Sequence, residues 1–493
     1  MSHVLAFDIG TGGVHVNVID RMGRFAGSAY EEIRYNYVKE YDGLDWDAAS
    51  SWESSIRAAE KAIAESGVPR DGIVAAAVTS QRHGMVFTDG DGLEILACPN
   101  LDGRAAPQVE RFAAQYGERV YDLTARWPDV YFPALRLLWL RDNRPDDFAR
   151  VARILMVNEY FIYKLTGRMC SEWTNAAETM LFDTGNRAWS ADMIRLFGFE
   201  KLRMNDLAAP GDVVERIRPE LAGRLGIGRI PVIAAVSDTQ AAVLGSGFVE
   251  LGDVVAVNGS TTPVLMIEDH FLKDPLRRIW VDPYLKNRWL LESNCLQSGM
   301  VHRKLLDHLA ELIRMIPGQE SFDRDDLYRL LEKLEDRTDG VVSYFGSRRF
   351  HVSKKDSKRL QITFPNEQTN VFAAILPSYV ENLAFAIAAN IEQLEEISGR
   401  RVSRLCLTGG GSRSAHLKRI MPALLADREV VVTRDLETTS RGAAIQAWTA
   451  VGEYADVEAA IREMSASGWY DRLTGCYAPR LHERYQMWRE LYG

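Results

Sequence analysis

Two carboxylates frame the chemistry open to this sequence. Asp8 follows the apolar run Val4-Leu5-Ala6-Phe7 and opens the turn Ile9-Gly10-Thr11-Gly12-Gly13, after which residues 14–20 alternate apolar and polar. Two β-type runs around a glycine-rich turn read as a hairpin. Glycines there let backbone N–H groups approach an anion with no Cβ in the way, which is how a phosphate is cradled. Thr11 adds a hydroxyl donor, and Asp8 can hold the Mg2+ that accompanies a nucleotide. An ordinary tight hairpin fits the same residues. The second carboxylate, Asp238, follows the apolar run 230–236 and Ser237, and leads into the small-residue segment Ala241-Ala242-Val243-Leu244-Gly245. A carboxylate at such a junction can take the proton of a substrate hydroxyl as its oxygen attacks a γ-phosphate. A helix N-cap is the alternative role.

Further loops give these carboxylates a context. Asn258-Gly259-Ser260-Thr261-Thr262 lies between the β-type runs 254–257 and 264–267, repeating the first hairpin. Gly409-Gly410-Gly411-Ser412-Arg413-Ser414 ends the strand 404–408 and enters a helix over 415–427. One phosphate-type hairpin per half would clamp a nucleotide between two domains, with adenine or ribose lying on the bare glycine backbone. For an acceptor, Gln81-Arg82-His83-Gly84 stands at the carboxyl end of the strand predicted over 72–79, where open α/β sheets bind ligands. Arg82, His83, Asp102 and Asp238 supply donors and acceptors suited to vicinal hydroxyls. His83 also fits a strand cap, and Arg104 a surface partner of Asp102 or Glu110. Trp127, Tyr131 and Phe132 fit a core or interface better than a sugar platform, and Arg348, Arg349, Lys354 and Lys355 a solvated face.

The elements that must position these residues are of mixed α/β type. Helices are predicted over 48–66, from about residue 104 through Tyr116, over 134–166 and over 439–451. At 493 residues the chain exceeds a single core. The repeat of strand, turn and strand puts a boundary near residue 250, giving domains 1–249 and 250–452 with a helical tail over 453–493. A net charge of −9 and a pI near 5.6 argue against nucleic acid and anionic membrane as partners. The N-terminus lacks a basic signal-peptide region, and no apolar run is expected to reach membrane-spanning length. Cys98, Cys170, Cys295, Cys406 and Cys476 lack metal spacing and read as reduced thiols of a cytoplasmic protein.

Taken together, these motifs resemble the FGGY carbohydrate kinases of the actin-like ATPase superfamily, from Asp8 to about Val451. Asp8–Gly13 and Asn258–Thr262 resemble the family's two phosphate motifs, and Gly409–Ser414 its adenosine motif. Glu437 with Gly442-Ala443-Ala444 resembles the helix that follows, and Ser237-Asp238-Thr239-Gln240 the segment of the catalytic Asp. The resemblance implies two ribonuclease-H-like domains with ATP and Mg2+ in the cleft between them. Asp238 would be the general base, with Asp8 and Asp238 at the metal. Thr11, Gly12, Gly13, Gly259, Ser260, Thr261, Gly299, Gly410, Gly411 and Ser414 would line the nucleotide. Gln81, Arg82, His83, Asp102 and Asp238 would hold a small sugar or polyol.

His83-Gly84 is similar to xylulokinases, and Asn100-x-Asp102-x-Arg104 with Glu292-Ser293 to autoinducer-2 kinases. The expected acceptor is a ketopentose such as xylulose, with the autoinducer-2 precursor or another polyol or aldonate as alternatives. A homodimer is left open. Arg441 departs from the usual aliphatic residue before Gly442. A non-catalytic sugar sensor on the same scaffold is the reading from another class; intact Asp238 and phosphate loops favour the enzyme.

Overall fold

The computed structural model describes residues 2–333, 338, 340–354, 360–364, 371–435, 437–466, 468–475 and 480–492. The first half is built on a six-stranded sheet in the order Val213–Arg216, Pro231–Ala234, Ile73–Ser80, His3–Ile9, Gly13–Asp20, Phe25–Glu32. His3–Ile9 pairs antiparallel with Gly13–Asp20 and parallel with Ile73–Ser80, which pairs parallel with Pro231–Ala234. The register sets Ile9 beside Ser80 and Val78 beside Ala234. The chain therefore leaves all three central strands at the same end of the sheet, carrying Asp8, residues 81–83 and Asp238.

The second half repeats the plan in a seven-stranded sheet in the order Trp280–Pro283, Trp289–Gln297, Thr261–Glu268, Val254–Val257, Arg404–Thr408, Glu429–Thr433, Tyr470–Arg472. Val254–Val257 pairs antiparallel with Thr261–Glu268 and parallel with Arg404–Thr408.

The continuous apolar run of the first strand follows from burial on both faces. Leu5, Phe7 and Ile9 pack towards the Ala48–Ser66 helix, while Val4 and Ala6 face the other way, into a core shared by both halves. That shared core contains the Asp238–Gly245 and Thr438–Ala450 helices and Val255, Leu265, Cys406 and Val431 of the second sheet. The two sheets thus enclose a helix pair.

The helix pair packs backbone against backbone. A Cβ on Gly245 would lie 1.8 Å from the Thr438 carbonyl oxygen, and one on Gly442 would lie 1.9 Å from that of Ala241. Arg441 completes the contact: its Nη1 donates to the Gly245 carbonyl at 3.2 Å, and its guanidinium lies 4.4 Å from the centroid of the Trp469 ring. That accounts for a cation where an aliphatic residue is usual. Gln446 reaches back across the domains and accepts from the Val236 amide at 3.0 Å, just ahead of Asp238.

Several expectations need correction. The span 134–166 is not one helix. It divides into Pro133–Asn143, Pro145–Arg150, the strand Arg153–Met156 and Val157–Thr166, because Pro145 cannot continue a helix but can start one. The helix expected to end at Tyr116 runs over Ala106–Thr124, and the one expected over 415–427 stops at Leu424. The tail adds a strand, Tyr470–Arg472, to the second sheet. Among the described residues one helix, over Ala374–Ser398, is long and apolar enough to cross a membrane, but 94% of its apolar window is buried in the core. Cys98, Cys170, Cys295 and Cys406 are buried free thiols, and Cys476 lies outside the described residues.

The close helix crossing predicts that Gly245→Ala or Gly442→Ala will lower stability by about 1–3 kcal/mol or more through overpacking. By contrast, Gly223→Ala, on a helix with nothing within 4 Å of the new Cβ, should be neutral or stabilising. Urea unfolding of the three variants checks both expectations.

Candidate active site

The helix crossing decides which acids meet. Asp238 is the first residue of one helix and Glu437 the N-cap of the other. Both face Asp8 at the end of the first strand. Asp8 and Asp238 keep part of their surface open to the cleft while protein surrounds them. Burial pushes the Asp8 carboxyl well above its usual range, and the charges of Asp238 and Glu437 push it the same way. Asp238 is also raised by burial, opposed by Arg82, by Thr239 and by His83. Its Oδ1 accepts from the Thr239 amide at 2.6 Å and the Thr239 hydroxyl at 3.1 Å. Both bonds fall on one oxygen, which leaves Oδ2 for a further donor.

Beside Asp238 lies a buried charge cluster built from both halves. Arg82 forms a two-pronged pair with Glu292, at 2.5 Å (Nη1–Oε2) and 3.2 Å (Nη2–Oε1). Arg126 binds Asp282 and, at 3.3 Å, Glu178. Glu178 also lies 2.8 Å from His83 Nε2. Trp280 pairs with Glu292 across neighbouring strands of the second sheet, and Asp282 projects to the same face two residues on. The sheet edge therefore brings Asp282 and Glu292 together.

His83 has φ +68°, an unusual backbone for a residue with a side chain. Its ring is boxed by Phe132 at 5.1 Å, Tyr131 at 5.8 Å and Trp280 at 6.3 Å between centroids. Such strain persists only where the surroundings hold it. Here Arg136 donates to the His83 carbonyl at 2.7 Å, and a Cβ on Gly84 would meet Val157 at 2.7 Å.

On the other side of the cleft, a 660 Å³ cavity opens in the second half. Its lining brings together Gly259, Ser260, Gly299, Gly410, Gly411 and Ser414. The loops meet through their glycines: a Cβ on Gly299 would stand 2.1 Å from the Gly259 carbonyl oxygen, and one on Gly411 would stand 3.0 Å from Asn258. The Ser298 and Met300 amides both donate to the Ser260 carbonyl, locking the loops together. His302 stacks on Tyr379 with centroids 4.3 Å apart, and burial with nearby Arg324 lowers its pKa to about 4. A neutral, flat ring pair in a glycine-lined cavity suits a purine base.

Comparison with known proteins gives the family of the chain. Residues 3–245 match the N-terminal domain and residues 252–451 the C-terminal domain of the FGGY family of carbohydrate kinases. The chain belongs to this family. It is 29% identical over 451 residues to Bacillus subtilis YoaC, whose name assigns it to the sugar kinases, covering 90% of this chain and 88% of the relative. It is 26% identical over 467 residues to the autoinducer-2 kinase of Salmonella typhimurium, covering 91% and 86%. The fold is similar to that of a xylulose kinase from Lactobacillus acidophilus, with a TM-score of 0.85, 17% identity and coverage of 100% and 97%. The protein is a carbohydrate kinase with the two-domain, actin-like fold of its family, and kinases of this family use ATP.

Within the kinase, some expected site residues are placed differently. Thr261 begins a strand with its side chain exposed, outside the cavity lining. Alternation along the strand turns Thr262 inward instead, 2.7 Å from the Ser298 hydroxyl. Thr11, Gly12 and Gly13 are not part of the cavity either; they stand on the first-domain loop beside Asp8. That loop is pinned by Asn100 on the Thr11 hydroxyl, Tyr35 on the Thr11 carbonyl and Tyr30 on the Gly12 carbonyl.

Gln81 serves the same scaffold. Its Oε1 accepts from the Asn100 amide, and its Nε2 donates to the Gly10 carbonyl and the Tyr35 hydroxyl. Asp102 has no exposed surface, and both its oxygens are taken by Arg104, Arg136 and the Leu44 amide. Arg104 is buried between Asp102 and Asp45, not on the surface. Trp127 packs against Gly117, whereas Tyr131 and Phe132 border His83. Arg349 pairs with Glu396, and Lys355 lies outside the described residues.

Glu178, Asp282, Arg126 and His302 were not singled out from the sequence. His302 and Arg303 follow Gly299 by three and four residues, which places them on its helix face. Glu178, Asp282 and Tyr379 carry no comparable local signal.

The contact between Gly299 and Gly259 predicts that Gly299→Ala will weaken MgADP binding by about 10-fold or more, since roughly 1.4 kcal/mol of misfit suffices. Calorimetric titration of the purified variant checks this.

Proposed function

We propose that the kinase transfers the γ-phosphate of ATP to a hydroxyl of a small ketose, a ketopentose such as xylulose, with Asp238 as general base. The observation that carries the reading is the meeting of Asp8, Asp238 and Glu437 between the glycine-lined cavity and the Arg82–His83 segment. Asp238 Oδ2 takes the acceptor proton while Thr239 holds Oδ1. Its burial makes it a stronger base than an exposed carboxylate.

Asp8 fits a Mg2+ ion: it lies surrounded by protein beside the carboxylates of Asp238 and Glu437, and burial and both charges raise it. Asp8, Asp238 and Glu437 would hold the metal, which supplies charge neutralisation at the transferring phosphate. The pinned Asp8–Gly13 loop presents amides to the terminal phosphates, and the cavity around Gly259, Gly299, Gly410, Gly411 and Ser414 takes the nucleoside end. Domain closure about a hinge near residue 250, the boundary between domains 1–249 and 250–452, would keep water from the γ-phosphate. The buried free thiols fit a cytoplasmic enzyme.

A second reading, phosphorylation of the autoinducer-2 precursor, is favoured by the 26% identity to autoinducer-2 kinases. ADP release from MgATP with xylulose, other ketopentoses, polyols and the autoinducer-2 precursor separates the two. Asp238→Asn should lower kcat by about 100- to 10,000-fold with nucleotide affinity retained. Retained turnover in that variant would remove Asp238 as the base.

The pH profile provides an independent check. A base acts only when ionised, so kcat/KM falls as pH drops through its pKa. Because burial raises Asp238 above the ordinary 3.8, the acid limb should lie at higher pH than for an unperturbed aspartate.

A further inference from the structure

We propose that Glu292 acts as a charge filter: by occupying Arg82 it restricts the acceptor site to uncharged polyhydroxylated sugars and excludes their carboxylate forms, the aldonates. This rests on the reading of the Asp238 cleft as the acceptor site.

Arg82 is the guanidinium beside Asp238, and a single carboxylate substrate would find in it a two-pronged partner. That position is already filled. Glu292 reaches from the second domain to both terminal nitrogens of Arg82, with the two side chains only 9% and 0% exposed. The guanidiniums around the segment 81–83 are engaged in the same way: Arg126 by Asp282 and Glu178, Arg136 and Arg104 by Asp102. In the inner cluster two guanidiniums face three carboxylates, Glu178, Asp282 and Glu292, before Asp238 is counted.

An aldonate entering here would meet an excess of negative charge. To claim Arg82 it would have to displace Glu292 and leave that carboxylate buried without its guanidinium, held only by the Asn294 amide at 2.9 Å, a strongly unfavourable exchange. A neutral sugar meets the opposite situation. Asp282 Oδ2 is buried and accepts no hydrogen bond among the described residues, so it offers an acceptor for a sugar hydroxyl. Burial raises the Asp282 carboxyl, with Glu178 and Glu292 adding to the rise and Arg126 and Arg82 opposing it.

The test compares acceptor pairs that differ in charge, xylulose and xylitol against xylonate and gluconate, in two assays. One is initial-rate ADP release, and the other is calorimetric binding to the ADP-loaded enzyme. The wild type should favour the neutral partners by about 100-fold or more, the direction a like-charge clash sets. Glu292→Gln should narrow that ratio by about 10-fold by freeing Arg82, while Glu292→Asp should retain it.

Equal binding of neutral and acidic sugars by the wild type overturns the proposal, as does an unchanged ratio in a folded Glu292→Gln protein. If that variant fails to fold, the wild-type ratio decides alone. Binding separates this proposal from the catalytic reading. Neutral preference in calorimetry supports the filter even where Asp238→Asn keeps turnover, which would sink only the base.

Discussion

The approach of two helices within the shared core is the constraint on which the rest of the kinase depends. The Asp238–Gly245 and Thr438–Ala450 helices come so close that a side chain at Gly245 or Gly442 would collide with the partner's backbone. One helix starts with Asp238 and the other is preceded by Glu437, and both starts are directed at the strand end bearing Asp8. Arg441, Gln446 and Asn17 reinforce the crossing through bonds to Gly245, Val236 and Ser440. A wider separation would part the carboxylates. The glycines therefore act on chemistry at a distance, by setting how near two backbones can come.

The second organising feature is electrostatic. A buried group of Arg82, Arg126, Glu178, Asp282 and Glu292 joins the domains beside the cleft. Such groups add little net stability, because removing charges from water costs about what their attraction returns. They do favour one arrangement strongly, since a shifted domain would strand each charge without its partner. The cluster thus aligns the Arg82–His83 side of the cleft with the second domain, and the strained His83 backbone lies within the same packing.

The cavity proposed for the nucleotide is shaped by close backbone contacts, with Arg303, Arg324 and Arg413 among the side chains on its wall. Gly259, Gly299, Gly409 and Gly411 let three loops from distant parts of the chain touch backbone to backbone, and His302 with Tyr379 supplies a flat apolar wall. The proposed acceptor side by contrast is crowded with buried acids and guanidiniums. A kinase needs both, a roomy slot for a common donor and a discriminating one for its acceptor.

The sequence by itself determined the local features: the glycine turns at Gly10–Gly13, Gly259 and Gly409–Gly411, the apolar strand runs, and the acids that end them. These follow from short-range rules, because a turn needs particular backbone freedom and a strand buried on both faces needs continuous apolar residues. The family could be recognised from their order. Only the tertiary structure decided what each polar group faces. Asp102 looked free to bind an acceptor, yet Arg104, Arg136 and Leu44 claim it from separate elements. Thr262 replaced Thr261 at the cavity because a one-residue step in a strand reverses the side-chain direction. Arg82 looked available until Glu292, 210 residues away, was seen to hold it. Partners so far apart in the chain are joined by sheet register and domain packing, which no local pattern of residues records.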